Sequence, residues 1–269
     1  MFSKTDFTVQ YSNLGRYISI GERRNQSVLI LLHGMFGGLS NFDQLLSEIK
    51  YKAGSHYVIV PELPLFSLTP KNARIKKLSE WLESFLDDLA IEKAHLLGNS
   101  LGGHIALDYA YRYSNRVGKL ILTGSSGLIE NELGGTRPKR NDRAYVKRKA
   151  SKTFYNDMVD ENMVDEILEI LGSSRKLINI IQFARNTHTY NMANILPDIH
   201  HETLLIWGRQ DVITPPDVAL QFYHLLPNAT LRWIDLCGHA PMMEHPSEFL
   251  KHLDAFFSTD DYLKERVNF

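Results

Sequence analysis

A single cysteine, Cys237, stands in 269 residues, which excludes an internal disulfide framework, fits a reducing compartment and leaves no cysteine cluster for a metal. Neither sign of charge dominates. The 30 Lys and Arg are met by 31 Asp and Glu, for a formal net charge of −1, so no overall field draws in nucleic acid or an anionic membrane. No stretch approaches the roughly 18 uninterrupted apolar residues of a spanning helix, and Met1 to Gln10, with Lys4 and Asp6, lacks the apolar core of a secretory signal. The expectation is a cytoplasmic chain with no stable membrane insertion and no nucleic-acid partner. Internal repeats and low-complexity tracts are missing too, and the length suffices for one domain with a full core.

What is present is an alternation of two periodicities. Residues 7–20 alternate polar and apolar around Asn13-Leu14-Gly15 and predict an opening hairpin. Short continuous apolar runs follow at 28–32, 57–60, 95–97, 120–122, 204–207 and 231–234, each closed by Gly, Pro or a polar turn. Continuous apolarity is what strands covered on both faces require. Between the runs lie stripes such as Leu78, Trp81, Leu82, Phe85, Leu86 and Leu89, spaced for one face of a helix. Strand and helix in alternation predict an α/β fold with a mostly parallel sheet, helices on both faces and a crevice at the carboxyl ends of the strands. Residues 125–200 show helical patterning without a convincing strand and are expected to form a helical lid between two parts of one core, 1–124 and 201–269.

The strongest local signal is Gly98-Asn99-Ser100-Leu101-Gly102-Gly103, a G-x-S-x-G between an apolar strand and an amphipathic helix. A serine held at so sharp a turn has strained dihedrals, and Gly98 and Gly102 keep side chains out of the crossing of strand and helix. The turn lifts the hydroxyl into the crevice and aims the Leu101 amide, at a helix N-terminus, toward the same space. A second glycine-rich turn, His33-Gly34-Met35-Phe36-Gly37-Gly38, follows the run at 28–32. Acyl transfer needs two donors for its oxyanion, and the Met35 N–H is the candidate for the second. This loop lacks G-x-G-x-x-G spacing and a Lys-Ser/Thr ending, so it is a poor phosphate cradle. His33 and Gly34 read as support for the loop.

Of eleven histidines, His239 is singled out by its place on a glycine turn after a strand read as Leu231–Leu236, at the same sheet edge as Ser100. His245, between Glu244 and Pro246 at a helix start, reads as structural. The pair His200-His201 lacks helix-spaced ligands or nearby cysteines, so no metal is expected. The acid should stand at another strand end between serine and histidine. Asp211, after the run at 204–207 and before Pro215-Pro216, fits, with a turn cap as its ordinary alternative; Asp217, in a helical segment, and Asp235, read as lying within a strand, are worse placed.

These blocks together, His33-Gly34, the elbow 98–103, Trp207-Gly208-Arg209-Gln210-Asp211 and Gly238-His239-Ala240-Pro241-Met242-Met243-Glu244-His245-Pro246, resemble the α/β-hydrolase superfamily over the whole chain. Within it they are similar to the small lid-bearing esterases and to the carbon–carbon bond hydrolases of ring-cleavage products. The resemblance implies Ser100, Asp211 and His239 as the triad, the Met35 and Leu101 amides as the oxyanion hole, no cofactor and a small-molecule substrate. Two departures stand out. Pro61-Glu62-Leu63-Pro64-Leu65-Phe66-Ser67 replaces a common glycine turn, and Ala240 takes a place often held by tryptophan in carbon–carbon hydrolases. On this basis ester cleavage of a moderately hydrophobic substrate stands first, carbon–carbon cleavage of a dienoate second, and a non-enzymatic receptor third. The basic stretch Arg137–Lys152 is expected to be a solvated face balanced by the acidic stretch 157–169.

Overall fold

The computed structural model describes residues 7–23, 27–51, 56–131 and 141–258. The opening alternation folds into the expected hairpin, β1 (Val9–Ser12) and β2 (Gly15–Ile20). The apolar runs become β3 (Ser27–Leu32), β4 (His56–Pro61), β5 (Ala94–Asn99), β6 (Val117–Thr123), β7 (Thr203–Gly208) and β8 (Ala229–Ile234). They form an eight-stranded sheet in the order β1-β2-β4-β3-β5-β6-β7-β8, antiparallel at the hairpin edge and parallel from β4 to β8. The helices are α1 (Asp43–Tyr51), α2 (Ile75–Asp88), α3 (Leu101–Arg112), α4 (Arg143–Ala150), α5 (Glu161–Gly172), α6 (Ser174–Thr189), α7 (Pro216–Leu225), α8 (Pro241–Glu244) and α9 (Pro246–Ser258).

The continuous apolar strands have a direct physical cause, because successive side chains point to opposite faces and both faces are dry. Ile30, Leu96, Leu120, Leu122, Leu205 and Trp207 enter one core with residues of α2, α3 and α7. Their neighbours Leu29, Leu31, Leu97, Ile121, Leu204 and Ile206 enter the other, with α1 and α9. Stacking helices on both faces buries the central strands' side chains toward their carboxyl ends, the edge at which open α/β sheets bind ligands.

Between β6 and β7 the described residues hold α4, α5 and α6 and no strand. Val146, Val159, Val164, Leu171 and Leu177 give this insertion a small core of its own. It is tied down through α6. Phe183 enters the main core, and Asn179 Nδ2 donates to the carbonyls of Leu65 and Leu68, each at 2.9 Å. Asn186 Oδ1 accepts the Ile75 N–H at 2.7 Å, giving the N-terminus of α2 the acceptor that its own flanking Arg74 does not supply. The 61–67 loop that departs from the usual turn is thus a seat for the insertion. Arg143 pairs with Glu161 and Asp165, and Lys147 with Glu161, so this part of the basic stretch is balanced by acids on a solvated face, as expected. Arg137, Lys139 and Arg140 lie outside the described residues.

Two details differ from the sequence reading. The last strand ends at Ile234, not Leu236, because Leu236 adopts φ 52° and turns the chain. Asp235 therefore lies in that turn, exposed and paired with Arg209 at 2.7 Å, rather than within a strand. No helix among the described residues is long and apolar enough to cross a membrane.

Burial sets a pH dependence of stability. His104, in the first turns of α3, is fully buried and stacked on Tyr190, and burial pushes its pKa down to about 3. Burial, with neighbouring His56 next, lowers His95 to about 4. An unfolded histidine takes up its proton near pH 6.5, so the unfolded chain binds more protons below that value, and stability present above it is lost as pH falls toward these folded values. The unfolding free energy from urea titrations should therefore decline from pH 6.5 to 4. In His104→Leu the slope should be shallower by about 1.4 kcal/mol per pH unit; identical slopes for wild type and variant would contradict this origin.

Candidate active site

The site begins with an awkward crossing. Strand β5 runs into α3 through one residue, and the helix lies so close to the sheet that a Cβ on Gly98 would lie 2.4 Å from the Gly102 carbonyl oxygen, and one on Gly102 2.0 Å from that of Leu32 at the end of the neighbouring β3. The turn between them puts Ser100 at φ 54°, ψ −118°, a region that side chains other than glycine rarely occupy. Four backbone hydrogen bonds hold it there. The Ser100 N–H donates to the Thr123 carbonyl at 3.1 Å, and the Ser100 carbonyl accepts from Gly103, Ser126 and His104 at 3.0, 3.0 and 3.3 Å.

The other two residues meet opposite the elbow. His239 Nδ1 lies 2.8 Å from Asp211 Oδ2, with both side chains buried. The remaining acceptor capacity of the carboxylate is filled. Oδ1 accepts the N–H groups of Ile213 and Thr214 at 2.8 and 3.0 Å, and Oδ2 accepts the Thr214 hydroxyl at 2.8 Å. Asp211 is therefore both the turn cap and the partner of the histidine. Burial favours the neutral imidazole, but the Asp211 charge and its hydrogen bond outweigh it, and His239 is raised above the ordinary histidine value. In neutral His239 the proton sits on Nδ1 toward the carboxylate, leaving Nε2 as the acceptor.

Two residues that sequence reasoning did not single out bring these halves together. Asn99 Nδ2 donates both to the Thr123 carbonyl at 3.1 Å, the same oxygen that holds Ser100, and to the His239 carbonyl at 3.0 Å. Gly124, at φ 50°, passes so close to His239 that a Cβ would stand 2.8 Å from its Nδ1. Asn99 was hidden as the variable letter of G-x-S-x-G. Thr214 carried a readable signal, a hydroxyl three residues after a turn aspartate.

The remaining candidates have the following surroundings. His33 Nδ1 hydrogen-bonds the Gly34 carbonyl at 2.8 Å and its Nε2 accepts the Leu63 N–H at 3.0 Å. It joins its loop to the 61–67 segment, and burial pushes its pKa down, keeping the ring neutral. Gly34 abuts the turn at Ser100, a Cβ there lying 3.4 Å from Ser100 Cβ, and Met35 is the next residue of that loop. Leu101 opens α3, where the first amides have no intrahelical acceptor. His245 Nε2 lies 3.1 Å from the Leu236 carbonyl, away from this cluster, and His201 Nε2 lies 3.0 Å from that of Ser114.

This geometry has relatives. The model of the alpha/beta hydrolase family matches residues 29–252. A 2-hydroxy-6-oxononadienedioate/2-hydroxy-6-oxononatrienedioate hydrolase of Paraburkholderia phymatum is 30% identical over 264 residues, covering 91% of this chain and 89% of that protein. A 2-hydroxy-6-oxo-6-phenylhexa-2,4-dienoate hydrolase of Burkholderia cepacia is 30% identical over 271 residues, covering 90% and 92%. Among solved structures, an alpha/beta hydrolase enzyme from the metagenome of lagoon sediments at Mar Chica, Morocco, superimposes with a TM-score of 0.75 at 36% identity, over 93% of this chain and 97% of that one. Elbow, strand order and family match agree: the chain belongs to the α/β hydrolase family.

Proposed function

We propose that the protein is a serine hydrolase in which Ser100 is the nucleophile, His239 the general base and Asp211 the acid that orients it. The observation that carries this reading is the buried 2.8 Å contact between His239 Nδ1 and Asp211 Oδ2, on a loop that Asn99 ties to the turn holding Ser100 at φ 54°. His239 Nε2 takes the Ser100 proton as Oγ bonds to the substrate carbonyl carbon, and Asp211 stabilises the imidazolium that forms. The N–H groups of Leu101 and Met35 receive the oxyanion, each worth on the order of 100-fold in rate or more. Collapse of the tetrahedral adduct expels a leaving group that takes its proton from His239. Water, deprotonated by the same imidazole, then adds to the acyl-enzyme, and Ser100 leaves with the proton returned. Residues 125–200 serve in this reading as the lid, and the substrate is a small molecule.

The leaving atom is the finer question. Sequence alone places ester cleavage first, but the relatives at 30% identity are named for dienoate substrates of the carbon–carbon class, and they favour that reading here. The same machinery serves it provided the departing carbon is stabilised as an enolate, which a conjugated ring-cleavage product allows. We therefore assign a carbon–carbon bond hydrolase acting on a 2-hydroxy-6-oxodienoate. Ester cleavage is the second reading, favoured by Ala240 beside the base.

Fluorophosphonate should label wild type rapidly and leave Ser100→Ala unlabelled, with turnover in the variant reduced by more than about 10³-fold. Near-normal turnover by Ser100→Ala would reject the assignment, whereas a wild type that neither labels nor turns over a dienoate or an ester would return the receptor reading. A ring-cleavage dienoate, followed by loss of its absorbance, should be processed with higher kcat/KM than p-nitrophenyl esters of graded length; the reverse order would retain the serine mechanism and restore the ester. Because His239 must be neutral to act and its pKa is raised, the acid limb of the kcat/KM profile should lie above pH 6.5. Asp211→Asn should lower kcat by about 10⁴-fold, the loss seen on neutralising this acid in other triads, and move the limb downward, since only the Glu130 and Glu244 charges then oppose burial.

A further inference from the structure

The insertion is usually the part of such a chain that faces substrate, yet here one stretch of it grips the proposed base. After α4 the chain crosses the loop that carries His239. The Thr153 carbonyl accepts the His239 N–H at 2.7 Å. Thr153, Phe154 and Tyr155 lie so tightly on Gly238 that a Cβ there would meet the Thr153 oxygen, the Tyr155 nitrogen and the Phe154 carbonyl carbon at 2.7, 2.8 and 2.9 Å. Phe154 packs between the α1/α9 core and the insertion's own small core.

One side chain closes this contact from the other side. Glu244, in α8, uses Oε1 to accept the Gly238 N–H at 2.7 Å, and Oε2 to accept the N–H groups of Tyr155 at 2.7 Å and Asn156 at 3.4 Å. Cys237 Sγ also approaches Oε1, at 3.7 Å. A carboxylate bridging amides on two separate segments forms charge-assisted bonds to both, stronger than neutral ones. The base loop and the insertion thus share one clamp, and neither can shift without stretching it.

We propose that Glu244, together with the strap 153–156, is a positioning element that sets where His239 stands relative to Ser100, so that the insertion holds the base as well as covering the site. The proposal rests on His239 being the base. Glu244 touches no reacting atom and acts through the 237–239 loop. The carboxylates that raise His239 are Asp211, Glu130 and Glu244, with the Thr214 hydroxyl the further side-chain contact at Nδ1; removing one charge of the three lowers the imidazole pKa without touching its Asp211 bond.

Glu244→Gln tests the clamp, because an amide can accept on one side only and turns an NH₂ toward amide donors on the other. With p-nitrophenyl acetate as the probe substrate, kcat should fall about 10- to 100-fold, the range expected of a base displaced by up to about 1 Å, while KM stays near wild type. Fluorophosphonate labelling of Ser100 should slow by the same factor, and the acid limb of its pH profile should move down. Phe154→Ala loosens the strap from its other anchor and should also lower kcat; in that background Glu244→Gln should cost clearly less than in wild type, since both changes break one linkage. Wild-type labelling rate and pH profile in Glu244→Gln, or fully multiplicative losses in the double variant, would overturn the proposal. If near-UV circular dichroism shows Glu244→Gln unfolded, Phe154→Ala alone decides: unchanged kcat refutes the strap. Absence of Ser100 labelling in wild type would instead refute the serine hydrolase reading itself, which keeps the two failures apart.

Discussion

Everything at the site depends on how closely one strand and one helix can cross. Side chains at 98 and 102 would overlap the backbone opposite, and only their absence lets β5 turn into α3 within one residue and hold Ser100 at positive φ. The strain there is offset by the Thr123 carbonyl at the end of β6 and the Ser126 amide just beyond it, together with the amides of Gly103 and His104 in α3. The Thr123 carbonyl is the shared point. It accepts from Ser100 and from Asn99, and Asn99 in turn holds the His239 carbonyl. The parallel sheet is therefore more than a support, since it delivers three strand ends to one edge in fixed register, and single hydrogen bonds then join them.

Electrostatics follows from the same arrangement. Burial alone would leave His239 a poor proton acceptor, as it does His33 and His104, which are pushed below the ordinary histidine value. Asp211 reverses the sign at one position only. It can do so because its other lone pairs are already satisfied by Ile213 and Thr214, which pins the charge toward the imidazole. The contrast among buried histidines, one raised and others lowered, separates the proposed base from structural rings by physics rather than by position in the chain.

Much of this was legible in the sequence where the pattern is local. Continuous apolar runs announce strands with two dry faces, and the glycines around Ser100 announce a close crossing, because both are consequences of geometry within a few residues. The hairpin at 7–20 and the pairing of Arg143 and Lys147 with acids were readable for the same reason. What escaped was long-range. Nothing near Asn99 in the chain points to a bond with a carbonyl 140 residues away, and the role of Glu244 depends on a strap in the insertion some 90 residues earlier. The last strand was read two residues too long because Asp235 and Leu236 continue a plausible pattern; only the left-handed backbone at Leu236 breaks it. The bond the proposed mechanism would cleave was not legible for a different reason, since the same proposed triad chemistry serves an alcohol or a stabilised carbon as leaving group.

Asn186 bears on how such proteins change over time. It lies on α6, in the insertion, yet the amide it receives belongs to α2 of the core, and Asn179 on the same helix holds the carbonyls of the 61–68 loop. The insertion cannot be exchanged like a cassette. A graft from a relative that lacked these two asparagines would bring a new insertion but leave an uncapped helix and a loosened 61–68 loop below it. Diversification of substrate range by recombination is therefore constrained to breakpoints that keep α6 with its host and preserve the 153–156 contact with the His239 loop, which leaves the solvated faces of α4 and α5 as the more variable part.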